Sequence, residues 1–337
     1  MQYIDIASNT NKIAINAIQC HEVLTEAKEA LSHYKGSMHW GKRNQKEYLI
    51  HKVSQKTLRS LGPRSPETEA KYDFFTKNKA MLLERVKTLV AKQSEQARIC
   101  KAVRANRIPF ILAQLSRKIS AFPDLANKTL IVGTNALYAY ESAAAVYFEP
   151  DIVATDDVDV LWDTRQRISI AATEPNGFLG ILRSIDKTFS VMSGSQFRAS
   201  NNDGFIVDLI QASPKNVMFS KHASMSDFPD DLVAVEIKGL EWLVSCPKFK
   251  ATGIDDKGFP VDLIVPDPRA FAMHKYWLSK RVDRNPQKKK RDLEQAKAVF
   301  DLVSERLPHL EFSSNAVRAV PQHIRRESMF TPSLFLK

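Results

Sequence analysis

Residues Asp157-Val158-Asp159-Val160-Leu161-Trp162 alternate acid and valine, then continue as unbroken apolar side chains. Period-two alternation marks a strand, in which residues i and i+2 project from one face. Asp157 and Asp159 therefore share a face, while Val158 and Val160 point the other way, toward an apolar core. Any fold for this chain must seat that strand with one side packed and the other able to hold two negative charges. Two steps of strand rise separate the acid positions by roughly 6.6 Å. That spacing lets two carboxylates flank a pair of divalent cations about 3.5–4 Å apart. Asp156 falls on the valine face and is the poorer ligand.

Two dications need more than two negative charges nearby. Asp208 supplies a third, inside Phe205-Ile206-Val207-Asp208-Leu209-Ile210, a run so apolar that its strand is expected at the centre of a sheet. An acid in such a place is costly unless paired or metal-bound. The segment Gly-Phe-Ile-Val-Asp-Leu-Ile at 204–210 is echoed by Gly-Phe-Pro-Val-Asp-Leu-Ile at 258–264, which makes Asp262 a competitor. Pro260 assigns the echo to a sheet edge, two further elements along, so Asp208 is preferred. The plain alternative for each acid is a surface or ion-paired aspartate.

Upstream, Thr129-Leu130-Ile131-Val132 has a buried-strand pattern, and Gly133-Thr134-Asn135 opens an alanine-rich helix expected to reach Val146. Glycine at a strand-to-helix turn lets backbone approach a ligand closely. A helix N-terminus offers free N–H groups and a positive dipole end to phosphate, and the Thr134 hydroxyl can donate to the same oxygens. Such a turn needs glycine for packing at least as often as for phosphate. Its weight comes from order: a phosphate-binding turn, a helix, an acid-pair strand and a later buried acid form the layout of a metal-dependent phosphoryl-transfer site.

Charge sorts the chain into parts. The 337 residues carry 49 Lys and Arg against 38 Asp and Glu, a net of +11, and the whole excess lies in residues 1–125, with 22 basic and 11 acidic side chains. Lys35 to Arg59 alone holds seven basic residues and one acid, Glu47. A field of that sign attracts polyanions, nucleic acid above all, unless it is simply a solvated surface. With 44% hydrophobic residues, 11 Gly and 3 Cys, the chain is neither disordered, collagen-like nor a disulfide scaffold. Its most apolar stretch, Thr129 to Phe148, is broken by Asn135 and Glu141, so no membrane span is expected. The start, MQYIDIASNTNK, lacks the basic and apolar regions of a signal peptide. Three scattered cysteines without a CxxC pair fit reduced thiols in a cytoplasm and argue against structural zinc.

Apolar spacing of three and four predicts a helix over Asn11–Ser32 and a long charged helix from Ser65-Pro66 to about Arg104. Between them, Glu47–Val53 and Lys56–Leu61 predict a basic β-hairpin. Further helices are expected after Pro109, over Phe178–Ile185, from Asp267 to about Arg281, and from Asp292 to about Leu307. The tail after Ser313 reads as irregular. Strand and helix alternate through 129–210, which indicates an α/β unit.

Val132-Gly133-Thr134, Asp157-Val158-Asp159-Val160 and Val207-Asp208-Leu209 together resemble the DNA polymerase beta-like nucleotidyltransferase superfamily, whose pattern is hG[GST], Dh[DE]h and h[DE]h, with h apolar. GTNALYAYE (133–141), ATDDVDVL (154–161), GFIVDLI and PDPRAFAMHKYWLS (266–279) look like a bacterial nucleotidyltransferase-fold family covering most of the chain. The resemblance implies a short mixed sheet with helices at 126–265, flanked by a basic, mainly helical region at 1–125 and a helical region at 266–337. It implies that Asp157 and Asp159 bind Mg²⁺ or Mn²⁺. Asp208 would complete a metal site and orient or deprotonate an attacking hydroxyl, and Gly133, Thr134 and Asn135 would cradle the phosphates of a nucleoside triphosphate. Thr134 stands where glycine or serine is commoner, and the interval from Gly133 to Asp157 is longer than in many members.

On the helix from Asp267, Phe271, Lys275 and Leu278 share a face. In similar enzymes such a lysine often reaches the triphosphate; the bland alternative is a lysine stem lying over a core helix. His274 is on another face and reads as packed or surface, and Trp242 as core. Arg281, Arg284, Lys288, Lys289, Lys290 and Arg291 form a basic loop that holds phosphate or is merely solvated. The expected activity is transfer of a nucleoside monophosphate to an acceptor hydroxyl. RNA, tRNA included, is the favoured acceptor, contacted through residues 35–61 and 281–291. The alternatives are a transferase acting on protein or a small molecule, toxin-like members included, and a non-catalytic nucleic-acid-binding protein.

Overall fold

The computed structural model describes residues 2–329 except positions 44, 55, 106, 156, 166–176, 214–222 and 314, so Asp156 lies outside the described residues. The chain divides into two compact units. One comprises Lys12–Ala105 with Lys257–Pro260; the other comprises Met1–Asn11, Asn106–Asp256 and Val261–Lys337.

The chain begins with β1 (Tyr3–Asp5) and the 25-residue helix α1 (Ser8–Ser32), which buries Ala17, Cys20, Leu24 and Ala27 at the spacing the sequence shows. An antiparallel sheet follows, ordered β2 (Ser37–Arg43), β3 (Lys46–Lys52), β4 (Leu58–Pro63). The first of these strands is hidden in sequence by Gly41, whose missing Cβ leaves room for Ile50: a Cβ there would stand 2.4 Å from the Ile50 Cδ1. Trp40 and His51, on the face shared with buried Leu49, pack against Tyr72 and Phe75 of α2 (Pro66–Ala102) at ring distances of 5.9 and 5.3 Å. Ser65 caps that 37-residue helix in a reciprocal capping box with Thr68, and Pro66 occupies its first turn.

The larger unit continues with α3 (Phe110–Ser120), α4 (Pro123–Ala126), β5 (Thr129–Val132), α5 (Leu137–Ala144), β6 (Val146–Phe148), α6 (Pro150–Val153) and β7 (Asp157–Trp162). Then come α7 (Gly177–Ile185), β8 (Ser190–Met192), β9 (Ser195–Ser200), β10 (Ile206–Ala212), β11 (Ala223–Ser224), β12 (Val233–Ile237) and α8 (Leu240–Ser245). The chain proceeds through β13 (Lys248–Ile254), β14 (Pro260–Pro266), α9 (Pro268–Lys280), α10 (Pro286–Arg306) and α11 (Gln322–Met329). Its main sheet is mixed and runs β11-β12-β10-β7-β5, with β9 paired to β10 and β8 to β9. Strand β10 is parallel to β7 and β12, whereas β5 is antiparallel to β7. Val158, Val160, Val207 and Leu209 are wholly buried in the main core. Leu130, Leu161 and Ile210 belong to a second core with Leu240, Leu243 and Met273. Among the described residues no helix is long and apolar enough to cross a membrane.

Three local expectations are corrected. The helix expected from Gly133 to Val146 starts as a 3-10 turn, Gly133–Ala136, and ends at Ala144. Ala145 adopts φ +53°, and Val146-Tyr147-Phe148 leaves to pair with β1. The last long helix begins at Pro286, not Asp292, because the Asn285 side chain accepts hydrogen bonds from the Gln287 and Lys288 N–H groups. Much of the basic loop is therefore helical. Nor is the described part of the tail irregular: Asn315–Val317 and α11 fold there, with Val317, Val320 and Ile324 buried, while residues 330–337 lie outside the described residues.

Candidate active site

Strand register assembles the carboxylates. In the parallel pair β7 and β10, Asp159 stands opposite Asp208 and Asp157 opposite Ile206, while antiparallel β5 places Val132 opposite Asp159. Neighbouring strands lie about 4.8 Å apart, so the three acids converge on one sheet face. Asp262, the competitor, lies on β14 in a separate two-stranded sheet, where Thr252 and Lys250 bond its carboxylate at 2.6 and 2.8 Å.

Gly133 follows Val132 with φ +66°, and a Cβ on it would sit 2.4 Å from the Asp159 Oδ2. Both the left-handed backbone and the close carboxylate demand glycine at this position. Among the described residues no hydrogen bond or ion pair reaches the Asp159 carboxylate. Burial, then the neighbouring charges of Asp157 and Asp208, push its pKa up to about 6, against the opposing pull of Lys275 and Lys288. Asp157 accepts a hydrogen bond from the Thr155 hydroxyl. Asp208, 6% exposed, is gripped along one edge of the Arg198 guanidinium, whose Nε and Nη2 donate to its two oxygens at 2.7 and 2.6 Å. Arg198 stands directly across from it on β9.

The phosphate-turn residues divide by role. Thr134 Oγ1 accepts from Arg291 and, at 3.1 Å, from the Gln295 amide, which leaves the hydroxyl's own proton to donate. Asn135, 2% exposed, donates at 2.6 Å to the Asp157 carbonyl, so its side chain braces the acid strand and lies outside the cavity wall described below. Lys275, 7% exposed, sits 2.8 Å from one oxygen of Asp292, and Arg284 sits 2.8 Å from the other. Burial lowers the Lys275 pKa, with Asp292 pulling against it. Burial also acts to raise Asp292, but the two cations outweigh it and hold that carboxyl below its ordinary value. His274 is buried against Trp242 and Trp277, and burial followed by the Lys275 charge drives it down to about 3.

A cavity of about 410 Å³ gathers Gly133, Thr134, Asp157, Asp159, Asp208 and Lys275 in one wall system. Arg198, Arg284, Lys288 and Arg291 face the same space. Farther along the carboxylate face, Ile210 and Val235 stand in register and begin an apolar end completed by Leu240, Leu243 and Leu278. The space thus has carboxylates at its centre, cations on α9, α10 and the loop between them, and an apolar end suited to a flat ring system.

Among the described residues no group of three or more His, Cys, Asp or Glu is arranged as a ready metal site. The chemistry of Asp157 and Asp159 nevertheless fits a divalent cation, with hard oxygen donors on one face and a carboxyl raised by burial and then by like charge, which a cation would relieve. Both Asp208 oxygens are engaged by Arg198, which competes with a cation for them. Arg198, Asp292 and Gln295 were not singled out in the sequence. Arg198 lies in the polar strand Ser-Gln-Phe-Arg-Ala-Ser, and Asp292 and Gln295 lie in a charged helix, so no local pattern marks them.

A family model described as Nucleotidyltransferase matches residues 111–321, a span that holds every residue of this cavity. No curated protein and no solved structure matches the chain.

Proposed function

The chain belongs to that nucleotidyltransferase family, and from this membership we propose that it moves a nucleoside monophosphate from a nucleoside triphosphate to a hydroxyl of RNA, with Mg²⁺ or Mn²⁺ as cofactor. One observation supports the reading: Asp157, Asp159 and Asp208 meet on adjoining strands beside a glycine turn, and among the described residues no hydrogen bond or ion pair reaches the Asp159 carboxylate. A structural cluster of acids would be expected to pair each of them, as Arg198 pairs Asp208.

The triphosphate lies along Thr134, Arg284, Lys288 and Arg291, where a hydroxyl proton and charge-assisted donors meet its oxygens. The base occupies the apolar end. Asp157 and Asp159 would hold a divalent cation, which would supply charge neutralisation at the phosphate. The acceptor oxygen bonds to the α-phosphorus as the bond to the bridging oxygen breaks. Pyrophosphate leaves with the bond's electron pair, and the hydroxyl proton passes to a site carboxylate. Asp208 fills that last role once Arg198 releases it; the guanidinium then has the leaving phosphates within the same cavity as an alternative partner. Acceleration rests on positioning and fixed charge. Three free, buried cysteines fit a cytoplasmic setting.

The test is incubation with labelled nucleoside triphosphates, Mg²⁺, total RNA and protein extract. Label enters RNA with the native chain and is lost with Asp157→Ala plus Asp159→Ala. Label that persists in the double variant overturns the mechanism, and label in protein overturns the acceptor.

Support for RNA comes from the smaller unit, where Lys12–Ala105 carries 19 Lys and Arg against 9 Asp and Glu. On the sheet β2-β3-β4, strand pairing puts His39, Arg43, Lys46, Tyr48 and Lys52 on the face opposite Leu49. Cations interleaved with an aromatic ring suit a single strand. Replacing Arg43, Lys46 and Lys52 by glutamate is expected to weaken RNA binding by about tenfold or more at low salt and to lower the salt dependence by roughly two to three in log–log slope. A filter-binding titration across salt concentrations checks this; an unchanged slope removes the sheet from the RNA path.

A further inference from the structure

Nucleotidyl transfer requires two substrates to reach one set of carboxylates from different directions, because the attacking and leaving oxygens lie roughly in line across the phosphorus. The larger unit contains a second, more open cavity of about 720 Å³ that adjoins the first. Asp157 and Arg291 belong to both walls. The remaining wall comes from Arg107, Tyr138, Ile206 and the α6 segment, with Pro150, Val153, Ala154 and Thr155. Ile206 is the residue paired with Asp157. The opening therefore meets the acid face at the first row of β7 and β10. The apolar end of the first cavity, at Ile210 and Val235, lies four residues farther along β10. Phosphate-binding Lys288 and Arg284 line the first cavity and not this one.

We propose that this second cavity is the entrance for the acceptor and that it receives the 3′-terminal nucleotide of an RNA, bringing its hydroxyl to Asp157. The assignment rests on the nucleotidyl-transfer reading above. The wall chemistry favours a nucleotide. The Arg107 guanidinium is fixed in place by Glu141 at 2.9 Å and the Phe148 carbonyl at 3.1 Å, so it meets a ligand without losing further rotamer freedom. Arg291 supplies a second cation at the junction. Among the described residues the Tyr138 hydroxyl has no hydrogen-bond partner. Tyr138 is 8% exposed, so it offers the cleft its hydroxyl rather than its ring, and the open face of a guanidinium is a surface on which a splayed RNA base stacks. The Arg107 charge is partnered by Glu141, and the acid Asp157 lines the cleft at the point where the reacting hydroxyl must arrive.

Ala154 offers a clean test, because it is exposed in the cleft wall and outside the carboxylate and phosphate machinery. Ala154→Glu is expected to raise KM for RNA by about tenfold or more while KM for the nucleotide stays within about twofold, and Ala154→Lys is expected to spare both. RNA ending in 4-thiouridine, irradiated without nucleotide, is expected to crosslink to the 138–155 segment of the native chain. Crosslinks confined to other segments overturn the assignment, as does an Ala154→Glu variant with native KM for RNA or with equal losses for both substrates. Labelled RNA that is indifferent to Ala154→Glu sinks the cleft and leaves the transferase standing. A cleft crosslink with no labelled product from any acceptor sinks the transferase and keeps the RNA site. Label found in a protein and suppressed by Ala154→Glu rules out RNA as the occupant.

Discussion

Asp159→Asn is expected to give a protein that is more heat-stable and inactive. In the folded chain the Asp159 carboxyl titrates near 6 because burial, Asp157 and Asp208 all disfavour its charge. At neutral pH it is ionised against that opposition, and the amide removes the conflict without changing shape. A gain of roughly 2–4 °C in Tm corresponds to about 1 kcal/mol in a domain of this size. Loss of the carboxylate proposed to hold the cation should cost about 10²–10³ in kcat, the scale of other preorganised electrostatic groups.

The pH dependence carries a sign that discriminates. A carboxyl raised in the fold binds its proton more tightly there than in the unfolded chain. Its stabilising contribution is complete below the ordinary value of 3.8 and is lost as pH rises through 6. His274 works oppositely: its folded value near 3 means stability is lost as pH falls from 6.5 toward 3. The two slopes overlap, so the native melting curve alone does not separate them. The difference in Tm between Asp159→Asn and the native protein, measured in a chelator, isolates Asp159. It should widen from pH 4 to pH 7. A flat difference would mean that Asp159 is solvated or paired and would remove it as the metal-facing acid.

Asp292→Ala is expected to be the most damaging single change for stability. Its carboxylate is 2% exposed and holds Lys275 and Arg284 at 2.8 Å each. Removing it leaves a lysine that is 7% exposed without its counter-charge. Breaking a buried pair in this way costs about 3–5 kcal/mol, because the remaining charge stays desolvated. Chemical denaturation of the single variant, of Lys275→Met and of the pair provides the check: the double variant should recover much of the loss. A cost below about 1 kcal/mol for Asp292→Ala would show that Lys275 finds water or the cavity instead. That lysine would then be free for phosphate, as its place on the helix from Asp267 led us to expect.

The acid pair, the glycine turn and the buried third acid were legible because each is a local pattern. Alternation over six residues defines a strand and its faces, and an aspartate in a run of β-branched and aliphatic residues announces a function or a partner. The order of these elements indicated a phosphoryl-transfer layout, their resemblance to the nucleotidyltransferase pattern implied the fold, and the family match over 111–321 agrees. Helix starts marked by Ser65-Pro66 and Asp267-Pro268 were equally local. Asn285-Pro286 carried the same signal, but the surrounding run of lysines and arginines masked it.

By itself, the sequence determined the strands that carry the site at 129–132, 157–162 and 206–210, which acids share a face and where the backbone must turn without a side chain. The tertiary structure alone decided their partners. That Arg198 grips Asp208, that Lys275 is committed to Asp292, that Asn135 braces the acid strand, and that one aspartate belongs to two cavities all follow from register and packing between distant segments. Periodicity tells a side chain which way to point. The identity of what it meets there depends on how separate strands and helices align, and no window of neighbouring residues encodes that alignment.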